Sequence, residues 1–198
     1  MTPDRGWRPF TVPNLISVVR LVCLPLFVWL VFGADDRWAA ALLLGALGAT
    51  DWVDGWIARR FDQESELGKI LDPTADRLLL LVAVVTMIVD GSLPLVVAVP
   101  ALVREGAVAL AALALGAAGA RKLDVTWWGK TGTLLMMFAV PCFLAGASDI
   151  AAAGAFGAAA WVFAAVGLPV HYWSAIGYVP AARAALAQRA GAGPAGPA

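Results

Sequence analysis

Six apolar stretches, each long enough to cross a bilayer, constrain this chain more than any other feature. They run over Val12–Phe32, Trp38–Phe61, Leu67–Val89, Leu93–Ala118, Trp127–Ala147 and Ala151–Ile176, and a helical span needs roughly 20 such residues. Hydrocarbon offers no partner to a backbone N–H or C=O, so each stretch is expected to close its hydrogen bonds within one helix. The breaks are short and collect charge, Gly and Pro, as in Gly33 to Arg37, Asp62 to Glu66 and Asp90 to Ser92. Short connections make successive helices antiparallel. The expected fold is all-α: an integral membrane protein of six transmembrane helices in one bundle. One membrane domain is expected over residues 1–190, ending in a short interfacial helix from Pro180 to Ala190. Residues 191–198 form a Gly/Pro/Ala tail with nothing to pack and are expected to be disordered.

Composition agrees with a bilayer. The chain is 61% hydrophobic and 14% charged, unlike an ordinary soluble domain. Fourteen Lys and Arg balance fourteen Asp and Glu, which leaves no basic field for nucleic acid, and the expected partners are lipids. Cys23 and Cys142 sit in separate apolar runs and suggest packing rather than a disulfide or zinc site. The first apolar run is longer than the core of a cleavable signal and lacks a small-residue cleavage site, so it is expected to stay in the membrane. Arg5, Arg8, Arg59, Arg60, Lys69, Arg121, Lys122, Lys130, Arg183 and Arg189 gather on one side of the expected topology, and only Arg37 on the other. Positive loops remain cytoplasmic, so both termini are expected in the cytoplasm of a multi-pass plasma-membrane protein.

Much of the remainder reads as structural. Gly45, Gly48, Gly116, Gly154 and Gly157 are expected to let helices approach closely. Trp7, Trp38, Trp127, Trp128 and Trp173 lie near expected helix ends and suit an interfacial belt. His171 is the only histidine. With no second one to pair with, it reads as an interfacial or hydrogen-bonded residue rather than a metal ligand.

Four aspartates do not fit that structural background. Asp51, Asp54, Asp72 and Asp76 interrupt the second and third apolar stretches, where each charge costs roughly 2.5–3.5 kcal/mol on insertion scales. The i,i+3 and i,i+4 spacings put each pair on one helix face. At about 1.5 Å per residue, Asp54 lies roughly 10 Å before Phe61 and Asp72 roughly 6 Å beyond Gly68, so the pairs would meet near the cytoplasmic surface. Two facing carboxylate pairs make a cage for a hard cation, Mg²⁺ or Mn²⁺ rather than zinc, and point to phosphoryl chemistry. Gly55 and Gly68 would let a ligand approach backbone, or simply serve helix packing; Arg59 would clamp phosphate oxygens, or with Arg60 anchor the helix at the cytoplasmic surface. Pro73 reads as a helix-start proline.

In order, Asp51, Asp54, Gly55, Ala58, Arg59, Gly68, Asp72 and Asp76 resemble the D-x2-D-G-x2-A-R-…-G-x3-D-x3-D signature of the CDP-alcohol phosphotransferases, also called CDP-alcohol phosphatidyltransferases. Every position of the signature is matched, and the family's six-helix fold spans essentially the whole chain. The resemblance implies that Asp51, Asp54, Asp72 and Asp76 bind two divalent ions, Mg²⁺ or Mn²⁺, with Asp76 also the general base for the acceptor hydroxyl. It implies that Gly55, Ala58, Arg59, Ser65 and Gly68 hold the CDP portion of CDP-diacylglycerol, with Asn14 and Ser17 near the nucleotide. A homodimer is implied in the same way, while the cytoplasm-facing active site follows from the charge bias and the depth of the aspartates.

The segment from Val12 to Ser17 followed by Arg20, together with Arg104-Glu105, Trp128-Gly129-Lys130 and Trp173 to Arg183, resembles the phosphatidylglycerophosphate synthase and cardiolipin synthase branch. An arginine deep in a span faces the bundle interior and finds an anion, so Arg104 is read as recognising an acceptor phosphate, with Lys130 and Arg183 as helpers. Its bland alternative is a pair with Glu105 or a carbonyl; Lys130 is alternatively a plain positive-inside residue, and Arg20 and Arg77 are further candidates or simple partners of a nearby carboxylate. Glycerol 3-phosphate is the expected acceptor, phosphatidylglycerol the runner-up and an inositol phosphate the third. A cation or proton transporter is the reading without catalysis, set aside because no inverted repeat is visible. A membrane prenyltransferase is disfavoured by the Gly55 to Arg59 segment.

Overall fold

A computed structural model of the chain describes residues 12–61, 68–117 and 127–176. Among the described residues there are six helices and no strand: α1 (Val12–Phe32), α2 (Arg37–Phe61), α3 (Gly68–Asp90), α4 (Leu95–Ala117), α5 (Trp127–Gly146) and α6 (Ala153–Ile176). Each begins and ends within two residues of its apolar stretch. The expected interfacial helix and the tail lie outside the described residues.

The ends are set by local chemistry. Asp36 caps α2, its Oδ1 accepting the Ala39 N–H at 2.8 Å, the short polar side chain supplying the partner that a first helical turn lacks. Before it, Asp35 takes a positive φ of 52°, a conformation aspartate tolerates better than most residues. Gly91 ends α3 at φ 81°, where a side chain would be strained. The chain then doubles back, with Leu93 N–H on the Met87 carbonyl at 3.2 Å.

The helices divide into two compact units, residues 1–94 with 137–160 and residues 95–136 with 161–198. In the first, α1 packs against both α2 and α3, burying Phe27 and Val31 of α1, Leu44 and Leu47 of α2, and Val84 and Met87 of α3. Arg37 ties the start of α2 to the end of α3: Nε and Nη2 donate to the Asp90 carboxylate at 3.1 and 2.9 Å, and Nη1 to Asp35 at 2.7 Å. The arginine standing apart in the charge pattern is therefore matched by two carboxylates. Also in this unit, a Cβ on Gly146 would stand 2.8 Å from the Gly157 backbone, so α5 and α6 touch there nearly backbone to backbone.

The second unit has its own close approach. A Cβ on Gly132 of α5 would lie 2.9 Å from the Cα and N of His171 on α6, and one on Gly167 would meet Leu135 at 3.0 Å. The expectation about glycines is met at Gly48, against Met137, and at Gly157, but corrected at Gly45 and Gly154, where an added Cβ meets nothing within 4 Å. Their faces point away from neighbouring helices, which a count of small residues does not reveal. The Gly116 side lies outside the described residues.

All six helices carry large apolar side chains on the outer surface, among them Val22, Trp29, Leu42, Val89, Val96, Val103, Phe138, Val162 and Trp173. Soluble monomers rarely expose such continuous apolar surface. Residues 15–32 and 153–176 are long and apolar enough to cross a membrane by length and composition, while 37–50 and 131–146 form shorter apolar segments.

Candidate active site

Asp51, Asp54, Gly55, Ala58 and Arg59 fall on α2, and Gly68, Asp72 and Asp76 on α3; their side chains lie outside the described residues, as does Ser65 entirely. The backbone still carries information, because the Arg37–Asp90 bonds fix where α2 begins relative to where α3 ends. Counting about 1.5 Å per residue from that tie, Asp51 and Asp76 each lie about 21 Å along their helices, and Asp54 and Asp72 about 26 and 27 Å. Both pairs therefore occupy the same level of antiparallel helices. An all-carboxylate donor set at one level fits a hard divalent cation such as Mg²⁺ or Mn²⁺. Among the residues whose side chains are described, which do not include these four aspartates, no group of three or more His, Cys, Asp or Glu gathers in one place.

On α1, Ser17 and Arg20 are both buried, one turn apart on the helix that packs on α2 and α3. Asn14 belongs to the same helix, its side chain outside the described residues. Arg77 is exposed, so it does not join an interior site. A cavity of about 310 Å³, lined by Asp35, Asp36, Arg37 and Asp149 among others, lies at the Arg37 end of the first unit, away from the paired aspartates.

The second unit holds a separate polar cluster. Arg104 on α4 is 7% exposed, as expected for an arginine turned inward. Its Nη1 donates to Glu105 Oε2 at 3.0 Å, so the bland alternative, an ion pair, is also present. That bond leaves the buried Nε–H without a partner among the described residues. His171 on α6 is 6% exposed; its Nε2 lies 3.4 Å from Thr133 Oγ1, and its buried Nδ1 also has no partner. It is a hydrogen-bonded interior residue, not an interfacial one. Lys130 sits on α5 with its side chain outside the described residues, and Arg183 lies outside them altogether. Sequence reasoning missed His171 as a site candidate. The available signal was a lone imidazole in an apolar span, and no spacing linked it to Arg104.

The described elements are thus all helical, expose many large apolar side chains, and carry two pairs of aspartates at one level of α2 and α3. The model of the family described as CDP-alcohol phosphatidyltransferase matches residues 10–173. The chain belongs to that family, which is membrane-embedded and generally dependent on divalent metal. It is 38% identical over 181 residues to a protein of Streptomyces coelicolor named cardiolipin synthase (CMP-forming), covering 87% of this chain and 82% of that one. A putative cardiolipin synthase of Mycobacterium tuberculosis is 34% identical over 172 residues, 86% of this chain and 82% of that one. The CDP-diacylglycerol--glycerol-3-phosphate 3-phosphatidyltransferase of Escherichia coli K12 is 34% identical over 184 residues, 89% of this chain and 97% of that one.

Proposed function

We propose that this enzyme transfers the phosphatidyl group of CDP-diacylglycerol to a glycerol-phosphate acceptor and releases CMP. The observation that carries the reading is the matched level of the two aspartate pairs on α2 and α3, in a chain whose family performs CDP-alcohol chemistry. Asp51, Asp54, Asp72 and Asp76 would hold two divalent ions, Mg²⁺ or Mn²⁺, which when bound neutralise the pyrophosphate and ease charge build-up on the oxygens at phosphorus. Gly55, Ala58, Arg59, Ser65 and Gly68, with Asn14 and Ser17 of α1, hold the nucleotide end of the donor.

Asp76 removes the proton of the acceptor hydroxyl. The hydroxyl oxygen bonds to the phosphatidyl phosphorus as the bond from phosphorus to the bridging pyrophosphate oxygen breaks. That oxygen leaves with CMP, and the proton remains on the Asp76 carboxyl until solvent takes it. Arg104, helped by Lys130 and Arg183, receives the acceptor phosphate, which offers a buried guanidinium the anion it needs.

Two acceptors share that chemistry. Glycerol 3-phosphate gives phosphatidylglycerophosphate, and the similarity to the Escherichia coli enzyme supports it. Phosphatidylglycerol gives cardiolipin, and the higher identity to the Streptomyces enzyme favours it; we give this acceptor first place. The helices are read as six spans with cytoplasmic termini in the plasma membrane, the aspartate end facing the cytoplasm, in a homodimer. The test is CMP release by the purified protein with Mg²⁺ or Mn²⁺, comparing the two acceptors and identifying the lipid formed. Cardiolipin with phosphatidylglycerol alone supports the first reading, phosphatidylglycerophosphate with glycerol 3-phosphate alone the second, and release with neither overturns the function.

A further inference from the structure

The second unit contains two buried nitrogens without partners among the described residues, Arg104 Nε and His171 Nδ1. They belong to one neighbourhood. Tyr172, beside His171, donates its hydroxyl to the Pro100 carbonyl of α4 at 2.8 Å, and Pro100 lies one turn before Arg104. Burying a polar group without a partner is costly, and two such groups on helices tied by the Tyr172–Pro100 bond call for a ligand that satisfies both.

The hydrogen bonds around the ring define what that ligand offers. Thr133 spends its hydroxyl hydrogen on the Gly129 carbonyl at 3.0 Å, one turn back on its own helix. The Thr133 oxygen can then only accept from His171, so Nε2 carries the ring hydrogen. In the neutral imidazole Nδ1 is therefore a bare acceptor. Arg104 Nε–H, in contrast, is a charged donor. The missing group must accept from one and donate to the other.

We propose that His171 is a specificity residue for the acceptor, its Nδ1 accepting a hydrogen bond from the non-reacting secondary hydroxyl while Arg104 Nε donates to the acceptor phosphate. Glycerol 3-phosphate and the phosphatidylglycerol headgroup both carry a secondary hydroxyl between the phosphate-bearing carbon and the reacting primary alcohol, so the inference holds for either. It rests on the glycerol-phosphate acceptor proposed above. No bond is made or broken at His171; it selects the alcohol and sets its pose.

The test compares each acceptor with its analogue lacking that hydroxyl: glycerol 3-phosphate with 3-hydroxypropyl phosphate, and phosphatidylglycerol with phosphatidyl-1,3-propanediol. The readout is the ratio of kcat/KM for CMP release within the pair that turns over. The native protein should prefer the hydroxylated acceptor by about tenfold or more, the consequence of leaving a buried acceptor atom unpaired. His171→Asn keeps an acceptor atom near the Nδ1 position and should retain most of that preference. His171→Gln keeps one near Nε2, toward Thr133, and should bring the ratio close to one. A residue that merely packs against Gly132 and Thr133 gives the same ratio in every variant, and that result overturns the inference. So does a native enzyme indifferent to the hydroxyl. Turnover with neither acceptor pair removes the proposed function and this inference together, whereas turnover without discrimination removes only the inference.

Discussion

The aspartate end of α2 and α3 and the polar cluster of α4, α5 and α6 differ in how they are encoded. The first comes from residues 51–76, one stretch of chain folded back on itself, with Arg37 and Asp90 pinning the register. The second draws Arg104, Thr133 and His171 from three helices far apart in sequence. A donor shared by a whole family can be served by one fixed local motif. An acceptor that differs between members is better recognised by scattered side chains, which change one at a time without disturbing the aspartate motif.

The largest effect expected from breaking that contrast is at Asp76. Asp76→Asn should lower CMP release by about 10²–10⁴-fold, the range for losing a general base, while the protein still binds CDP-diacylglycerol. Parallel measurement of turnover and donor binding checks this. A variant retaining most of its turnover would assign the proton to another group and leave Asp76 as a ligand alone.

Next in size is Arg104. Arg104→Ala should raise the acceptor KM by about 10- to 100-fold, from losing a charge-assisted bond worth roughly 1.5–3 kcal/mol, with the donor KM little changed. Initial rates against each substrate in turn decide the matter. A shift confined to the donor would mean that the aspartate motif and the Arg104 cluster do not divide the substrates as proposed.

These predictions also mark what was legible in the sequence. The six helices could be read to within two residues because bilayer length and backbone satisfaction leave a chain of this composition little choice. The placement of the aspartates on two successive helices was legible because helical rise and apolar run length fix where each falls along α2 and α3. Arg104 could be singled out because a buried arginine is expensive. His171 could not, since its meaning depends on Thr133 giving its hydrogen to Gly129 and on a helix contact that spacing does not encode. Gly45 and Gly154 misled for the same reason: a small residue permits close approach, but only the packed partner decides whether it happens.

Close approach itself gives the third prediction. Gly132→Ala places a methyl group 2.9 Å from the His171 backbone, which rigid helix backbones cannot absorb without shifting. A loss of about 1–3 kcal/mol is expected, seen as a lower melting temperature in detergent, with a weakened preference for the hydroxylated acceptor. Gly106→Ala on α4 meets nothing within 4 Å and should be neutral or slightly stabilising, by up to about 1 kcal/mol. If both variants behave alike, the α5–α6 contact is not what holds His171 in place.

The smallest effects test the register of the aspartate end, through two carboxylates on one guanidinium. The Asp90 side chain is 4% exposed and that of Asp35 77%. Asp90→Asn leaves Arg37 facing a neutral amide in a site shielded from water, and about 1–3 kcal/mol should be lost. Asp35→Asn keeps a residue that tolerates the positive φ and removes only a solvated charge, so its cost should stay within about 0.5 kcal/mol. Thermal unfolding of both variants in the same detergent ranks them. Equal costs would mean that the tie to Asp90 contributes no more than a surface contact, and the matched levels of Asp51 with Asp76 and Asp54 with Asp72 would then need another source of register. An Asp90 variant that loses stability and also CMP release would show that the tie at one end of α2 and α3 sets the geometry of the aspartates at the other.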